Sequence, residues 1–327
     1  MRALVFRLVQ LVVVLLLVTI FTTLLLDLVP GDVTNTLAPV STPEQRAQLR
    51  SDLHLDEPVY KRYGEWVNGL VHGDLGCYYG TSGYSAGSSC PDKVADRVKD
   101  ALPISLTLMF YAQMLALVIA IPLGVITAYR AGSLFDKSVN TIAFGLLAIP
   151  NFVLALLLAY YVATKWQLWD IKPTNWVDFS QDPVAHFKQA LLPTISLAAG
   201  QVAVYMRLLR SDMIATLQED FVTMARAKGL SPSRILWRHA LRPSSLTLLT
   251  VAGLNVGTLI GGTLVIETIF NIHGMGFLIA DAIVRRQYVA LQSYVAVLAL
   301  AYIAVNFAVD ILYAIFDPRI RHARALG

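Results

Sequence analysis

Long apolar stretches alternate with polar, charge-bearing segments along the chain. Six run approximately Leu8–Val29, Leu102–Tyr129, Ser138–Thr164, Leu191–Leu209, Leu246–Ile269 and Tyr294–Phe316. A hydrocarbon layer about 30 Å thick needs about 20 mainly apolar residues per helical crossing. Helices satisfy their own backbone hydrogen bonds there. The pattern therefore predicts an all-α polytopic membrane protein with six transmembrane helices, both termini on one side and a long polar loop after the first helix. The apolar run from Leu8 exceeds the roughly 7–15 residues of a secretory signal core, and no small-x-small cleavage site follows, so the first span is expected to remain as an anchor. The expected divisions are 1–30, tip and first span; 31–101, external loop; 102–317, transmembrane core with a polar loop at 210–243; and 318–327, tail.

Within the first loop, Thr42-Pro-Glu gives a helix start: an N-cap residue, proline at the first position, then an acid. A second surface helix over Pro58–His72 carries Tyr60, Tyr63, Trp66, Val67 and Leu70 at helical spacing, read as membrane-interface anchoring. Pro103, Pro122, Gly124, Gly145, Pro150, Pro193, Gly200, Gly253, Gly257, Gly261 and Gly262 fall in the spans, where they suit close packing and bending.

The 327 residues are 56% apolar with a mean hydropathy of +0.59, above the range of ordinary soluble domains. Lysine and arginine fix the orientation. The side holding the N-terminal tip, Arg130–Lys137, Arg207–Arg242 and the tail after Asp317 carries 14 of the 26 basic residues, in about half the loop length of the other side. That side is placed in the cytoplasm. The net charge of +4 is then a topology signature and implies no nucleic-acid partner. Cys77 and Cys90 both fall on the opposite side, flanking a Gly/Ser-rich run. A disulfide there would close a short loop; two unpaired thiols are the alternative.

No phosphate cradle is visible, since no Gly-Lys pair occurs, and the six histidines show no metal-ligand pairing on one helix. No catalytic residue, metal site or cofactor is assigned to this chain. The acids noted inside spans, Asp27 and Asp310, lie toward span ends and are expected to be interfacial or paired rather than a proton relay. If the chain moves a cargo uphill, the energy is then expected to come from another subunit.

The informative segment is Arg210–Arg242. Met213, Leu217, Phe221 and Met224 recur at helical spacing and extend the fourth span as an amphipathic helix. Gly229 ends it, with Arg226 and Lys228 in the last turn, and Ser231-Pro232 starts the next helix. Two short helices then meet at a projecting corner with Ala225 and Ala227 near its tip. With little to bury against in its own chain, the corner should dock into a partner; the alternative is a basic loop on anionic lipid.

Asp220-Phe-Val-Thr-Met-Ala-Arg-Ala-Lys-Gly-Leu, followed by Arg238-His-Ala-Leu-Arg242, resembles the coupling loop of ABC importer permeases, in the form of the dipeptide/oligopeptide B-type subunits. Val29-Pro-Gly-Asp, Gly73-Asp-Leu-Gly76, Ala148-Ile-Pro-Asn-Phe152, Glu267-Thr-Ile-Phe, Gly274-Met-Gly276 and Tyr313 to Asp317-Pro-Arg319 extend the likeness over nearly the whole chain. The acidic residue of the generic loop triplet is absent, Pro243 and Thr247 depart from the usual pattern, and Gln287-Tyr288-Val289 replaces the commoner Asp-Tyr-Pro. The resemblance implies the type I ABC importer permease fold. It also implies a second homologous permease, two cytoplasmic ATPase subunits holding ATP and Mg, an extracytoplasmic substrate-binding protein and surrounding membrane lipid. Peptide cargo is the leading expectation; glutathione, nickel chelates or oligosaccharides are the family alternatives, and a self-sufficient channel or secondary carrier is the alternative from another class. Residues Phe221, Met224, Ala225, Arg226, Ala227, Lys228, Gly229, Leu230 and Ser231 would contact an ATPase subunit. Asn151, Gln201, Asn255 and Gly257 are the candidate pore-lining positions.

Overall fold

The computed structural model describes residues 2–28, 34, 42–52, 54–79, 90, 92–167 and 176–316, without the side chains of 2–8, 10, 45, 48, 49, 52 and 310–316. The Val29-Pro-Gly-Asp motif, the Gly/Ser run from Gly80, the Asp310 side chain and the tail from Asp317 lie outside the described residues. Among those described, the helices are α1 (Arg2–Leu28), α2 (Pro43–Asp52), α3 (Val59–Val71), α4 (Val94–Tyr129), α5 (Leu134–Ala148), α6 (Asn151–Lys165), α7 (Pro183–Thr216), α8 (Asp220–Ala227), α9 (Pro232–Leu254), α10 (Val256–Ile269), α11 (Met275–Val284) and α12 (Tyr288–Phe316).

Helices α1, α4, α7 and α12 are each long and apolar enough to cross a membrane, and the pairs α5/α6 and α9/α10 add two crossings if each bent pair is one span. That matches the six predicted stretches. The bends have local causes. Between α5 and α6 the axis turns by 96°. Ile149 is extended (ψ 118°) and Pro150 follows at φ −57°, ψ 139°. Proline drives the preceding residue out of the helical region and donates no backbone hydrogen bond, so Ala148-Ile-Pro-Asn breaks the helix outright. Between α9 and α10 the turn is 45°, at Asn255. Helix α7 is longer than the predicted Leu191–Leu209 because Asp182 accepts hydrogen bonds from the backbone of Val184 (2.9 Å) and Ala185 (3.1 Å) ahead of Pro183.

The chain divides into two compact units. One comprises Leu106–Ile272 and Ala304–Gly327, with α7 at its centre: 61% of its most apolar window is buried, against 6% for α1 in the other unit. Neighbours approach α7 closely. A Cβ on Gly124 would stand 3.1 Å from Leu209, and one on Gly262 3.1 Å from Leu197. Arg210 of α7 grips Asp136 of α5 through two bonds of 2.6 and 2.7 Å; the same carboxylate accepts from the Gly132 backbone (2.9 Å) and Asn140 (2.7 Å). Near the start of α7, buried His186 sits among Trp176, Phe179 and Tyr111, with Nδ1 2.8 Å from the Val177 carbonyl and Nε2 3.0 Å from the Tyr111 hydroxyl.

The other unit comprises Met1–Ser105 and His273–Ile303. Here α3 packs on α1 through Thr19 and Tyr63, whose hydroxyls are 2.9 Å apart, and through an ion pair between Asp27 and Arg62. Trp66 donates to Ser293 (2.9 Å), which donates to the Leu75 carbonyl (2.7 Å). The aromatic stripe of α3 thus splits. Tyr60 is exposed, whereas Tyr63 and Trp66 are half-buried and hydrogen-bond within their own chain. Tyr78 donates to Asp281 (2.5 Å), and burial together with that bond pushes its hydroxyl pKa well above the ordinary value. Cys77 and Cys90 are bonded, with Cα atoms 5.7 Å apart.

The Asp27–Arg62 pair is the expected arrangement for an acid at a span end. Glu267, read above only as part of a motif, is a third acid inside a span, and it is fully buried.

Candidate functional site: the corner between α7 and α9

The amphipathic extension of the fourth span is interrupted. Helix α7 stops at Thr216, Leu217–Glu219 form a turn, and α8 begins at Asp220. The spacing from Met213 to Met224 therefore does not mark one face. Met213 is buried and Leu217 half-buried, whereas Phe221 and Met224 are 43% and 57% exposed.

The end of α8 is built as a Schellman turn. Leu230 N–H donates to the Ala225 carbonyl (3.3 Å) and Gly229 N–H to the Arg226 carbonyl (2.9 Å), with Gly229 at φ 74°. A Cβ at Gly229 would meet nothing within 4 Å, so the glycine is there for its left-handed backbone and not for want of space. Leu230, the residue after that glycine, packs back on the helix. It joins Leu217 against a small core of Val222, Ala225 and Ile235, all under 10% exposed. Ser231 then sits extended at φ −62°, ψ 146° with Pro232 at the first helical position, and Ile235 N–H donates to the Ser231 carbonyl (3.1 Å). The Ser231 hydroxyl makes no capping bond. Behind the corner, Ser244 Oγ lies 2.8 Å from Thr216 Oγ1, tying α9 to the end of α7.

The corner therefore carries its own miniature core, contrary to the expectation that it has little to bury against. Val222 and Ile235 hold its shape. Ala225, expected at the contact surface, is inside. What remains outward is Phe221, Met224, Arg226, Ala227, Lys228, Gly229 and Ser231, with Leu230 half-buried. Two large apolar side chains beside two cations, on a rigid turn, are what a docking knob presents to an apolar groove with an acidic rim. Trp237, also 44% exposed, is an addition that the capping signals did not single out.

The four candidate pore positions separate. Asn151 is exposed at the start of α6, with its Oδ1 3.3 Å from where a Cβ on Gly200 would stand. Gln201 is buried and accepts a hydrogen bond from Tyr205, whose hydroxyl also lies 3.2 Å from the Gln113 side-chain oxygen. Gln113 in turn donates to the Ala252 carbonyl at 3.4 Å. Gln201 thus belongs to a polar chain linking α7, α4 and α9, in which Gln113 and Tyr205 were not singled out from sequence. Asn255 and Gly257 are half-buried at the break between α9 and α10.

Among the described residues, His54, Glu57 and Glu65 bring potential ligand atoms within 4.8 Å of one another. Lys61 already donates to Glu57 at 2.7 Å and holds its carboxyl below the usual range. The string Gly83-Tyr-Ser-Ala-Gly87 has the spacing of a nucleophile elbow, which requires a strand-to-helix turn, and it lies outside the described residues.

Comparison with known proteins agrees with this architecture. Residues 120–322 match the family model described as binding-protein-dependent transport system inner membrane component, and residues 1–109 match the N-terminal model of the same kind of transport system. The chain is 36% identical to the di/tripeptide transport system permease protein DppB of Pseudomonas aeruginosa (94% of this chain, 95% of that one). It is 33% identical to the dipeptide transport system permease protein DppB of Escherichia coli K12, with the same coverage. In fold it resembles a chain of the MetNI methionine ABC transporter in an inward-facing conformation, with a TM-score of 0.56 at 16% identity over 70% of this chain and all of that one. The chain belongs to the family of binding-protein-dependent transport system inner membrane components.

Proposed function

We propose that the chain is the permease subunit of an ATP-driven importer, forming half of the translocation pathway for di- or oligopeptides delivered by an extracytoplasmic binding protein. The observation that carries this reading is the α8–α9 corner: a rigid turn with its own core that leaves Phe221 and Met224 outside. Such a turn can transmit rigid-body motion from a partner, because its shape does not depend on that partner. Its partners are a second homologous permease, two ATPase subunits that hold ATP and Mg, and the binding protein. The corner and both termini face the cytoplasm in this reading, which the distribution of lysine and arginine supports. Peptide cargo is supported by the names of the relatives at 36% and 33% identity.

The test is uptake into proteoliposomes that contain the chain with its candidate partner subunits. Labelled dipeptide should accumulate only when ATP is inside and the binding protein outside. Uptake by the chain alone, without ATPase or binding protein, would establish a self-sufficient carrier instead. Mass spectrometry of ligands retained by the cognate binding protein then separates peptides from other cargo.

A further inference from the structure

The unit formed by Met1–Ser105 and His273–Ile303 holds a cavity of about 370 Å³, within the size range of small-molecule sites. Its walls are the end of α1, the inner face of α3, the segment around Gly76 and the start of α12. Three of its lining groups carry a buried polar atom with no hydrogen-bond partner among the described residues: Arg62 Nε, Tyr288 Oη and Gln292 Nε2. Gln292 is 7% exposed. Leaving one such group unsatisfied costs about 1–3 kcal/mol, so three around one cavity are better explained by an occupant than by faulty packing.

The chemistry of the three is uniform. An arginine Nε and an amide nitrogen only donate, and a tyrosine hydroxyl can donate. A second cation, Arg286, also lines the cavity. Two of the wall acids are already engaged: Asp27 is paired with Arg62, and Asp74 accepts from the Gly76 backbone at 2.9 Å. Glu65 stands 4.0 Å from His54. Ordered waters can satisfy such donors one at a time; a single occupant that meets all three must supply several acceptor oxygens, as a phosphate or carboxylate does.

We propose that this cavity binds an oxyanion, a phosphate or carboxylate group, held by Arg62, Tyr288 and Gln292. The group could belong to a lipid headgroup or to a soluble anion, and the arms of the experiment separate the two. The purified full-length chain is delipidated in detergent and titrated separately with dioleoylphosphatidylglycerol, inorganic phosphate and acetate. Adducts are counted by native mass spectrometry and stability is followed by thermal shift. At least one probe should bind saturably and raise the Tm; the lipid alone doing so identifies a headgroup, and phosphate or acetate doing so identifies a soluble anion.

Gln292→Leu is the discriminating variant. In an unoccupied void, replacing an unpartnered donor with an apolar side chain of similar size is neutral or stabilising. At an oxyanion site it should weaken the binding probe about tenfold, the loss of one charge-assisted hydrogen bond. Tyr288→Phe should do the same, and it decides the matter if Gln292→Leu does not fold. Failure of every probe to bind, or equal binding by wild type and variants, would overturn the proposal.

Discussion

At Gly76 a single added carbon would stand 2.5 Å from Val289 Cγ1, and the backbone φ is 82°. Both facts forbid a side chain, so Gly76→Ala should lower stability by more than about 1 kcal/mol. Thermal unfolding in detergent checks this. Adding Val289→Ala should recover part of the loss, because it relieves the contact but not the backbone. Gly229 differs in kind, since space is open around it and only the backbone objects. Gly229→Val should therefore leave membrane insertion intact but distort the Schellman turn and abolish ATP-driven uptake, while Gly229→Asn, which tolerates the left-handed region, should retain most of it. Normal uptake by Gly229→Val would remove the corner from the mechanism. The role of Gly229 was legible in sequence because capping signals are local: basic last turn, glycine, then Ser-Pro. Gly76 stood only as part of a motif, because its reason is a contact with Val289 far along the chain.

Among the elements, the six apolar stretches were legible because hydrocarbon thickness sets their length, and prolines announced bending without giving its size. The 96° break at Ile149-Pro150 follows from the conformation that proline imposes on its predecessor. Periodicity misled at Leu217–Glu219, where a turn happens to preserve helical spacing, so that Phe221 and Met224 ended outside while Val222 and Ala225 went in. The Asp136–Arg210 pair was invisible in sequence, since two helices had to be packed before the residues could meet. It joins α5 to α7, with the Asp136 side chain 4% exposed and that of Arg210 25%. Removing Asp136 leaves the part-exposed Arg210 and the Gly132 and Asn140 donors without their side-chain acceptor, so Asp136→Ala should destabilise the chain by about 1–3 kcal/mol. A double-mutant cycle with Arg210→Ala measures it; additive losses would mean that the two residues act independently.

At the scale of the whole molecule, the chain is a helical membrane subunit with a disulfide in one unit and the α8–α9 corner in the other. The Cys77–Cys90 bond spans a sequence separation of 13 residues, and its reduction should cost about 3 kcal/mol on the chain-entropy estimate. Alkylation adding mass only after reduction, together with a lowered Tm, checks this. The central claim is that the α8–α9 corner seats an ATPase subunit through Phe221 and Met224. The most direct measurement co-expresses the full-length chain with its candidate partner subunits, purifies it in detergent, and quantifies the ATPase retained. Wild type should hold the ATPase, and Phe221→Asp combined with Met224→Asp should reduce retention by about tenfold or more with insertion and Tm unchanged, as expected for apolar anchors at an interface centre. An ATPase that fails to co-purify with wild type, or that the double variant retains equally well, would contradict the account.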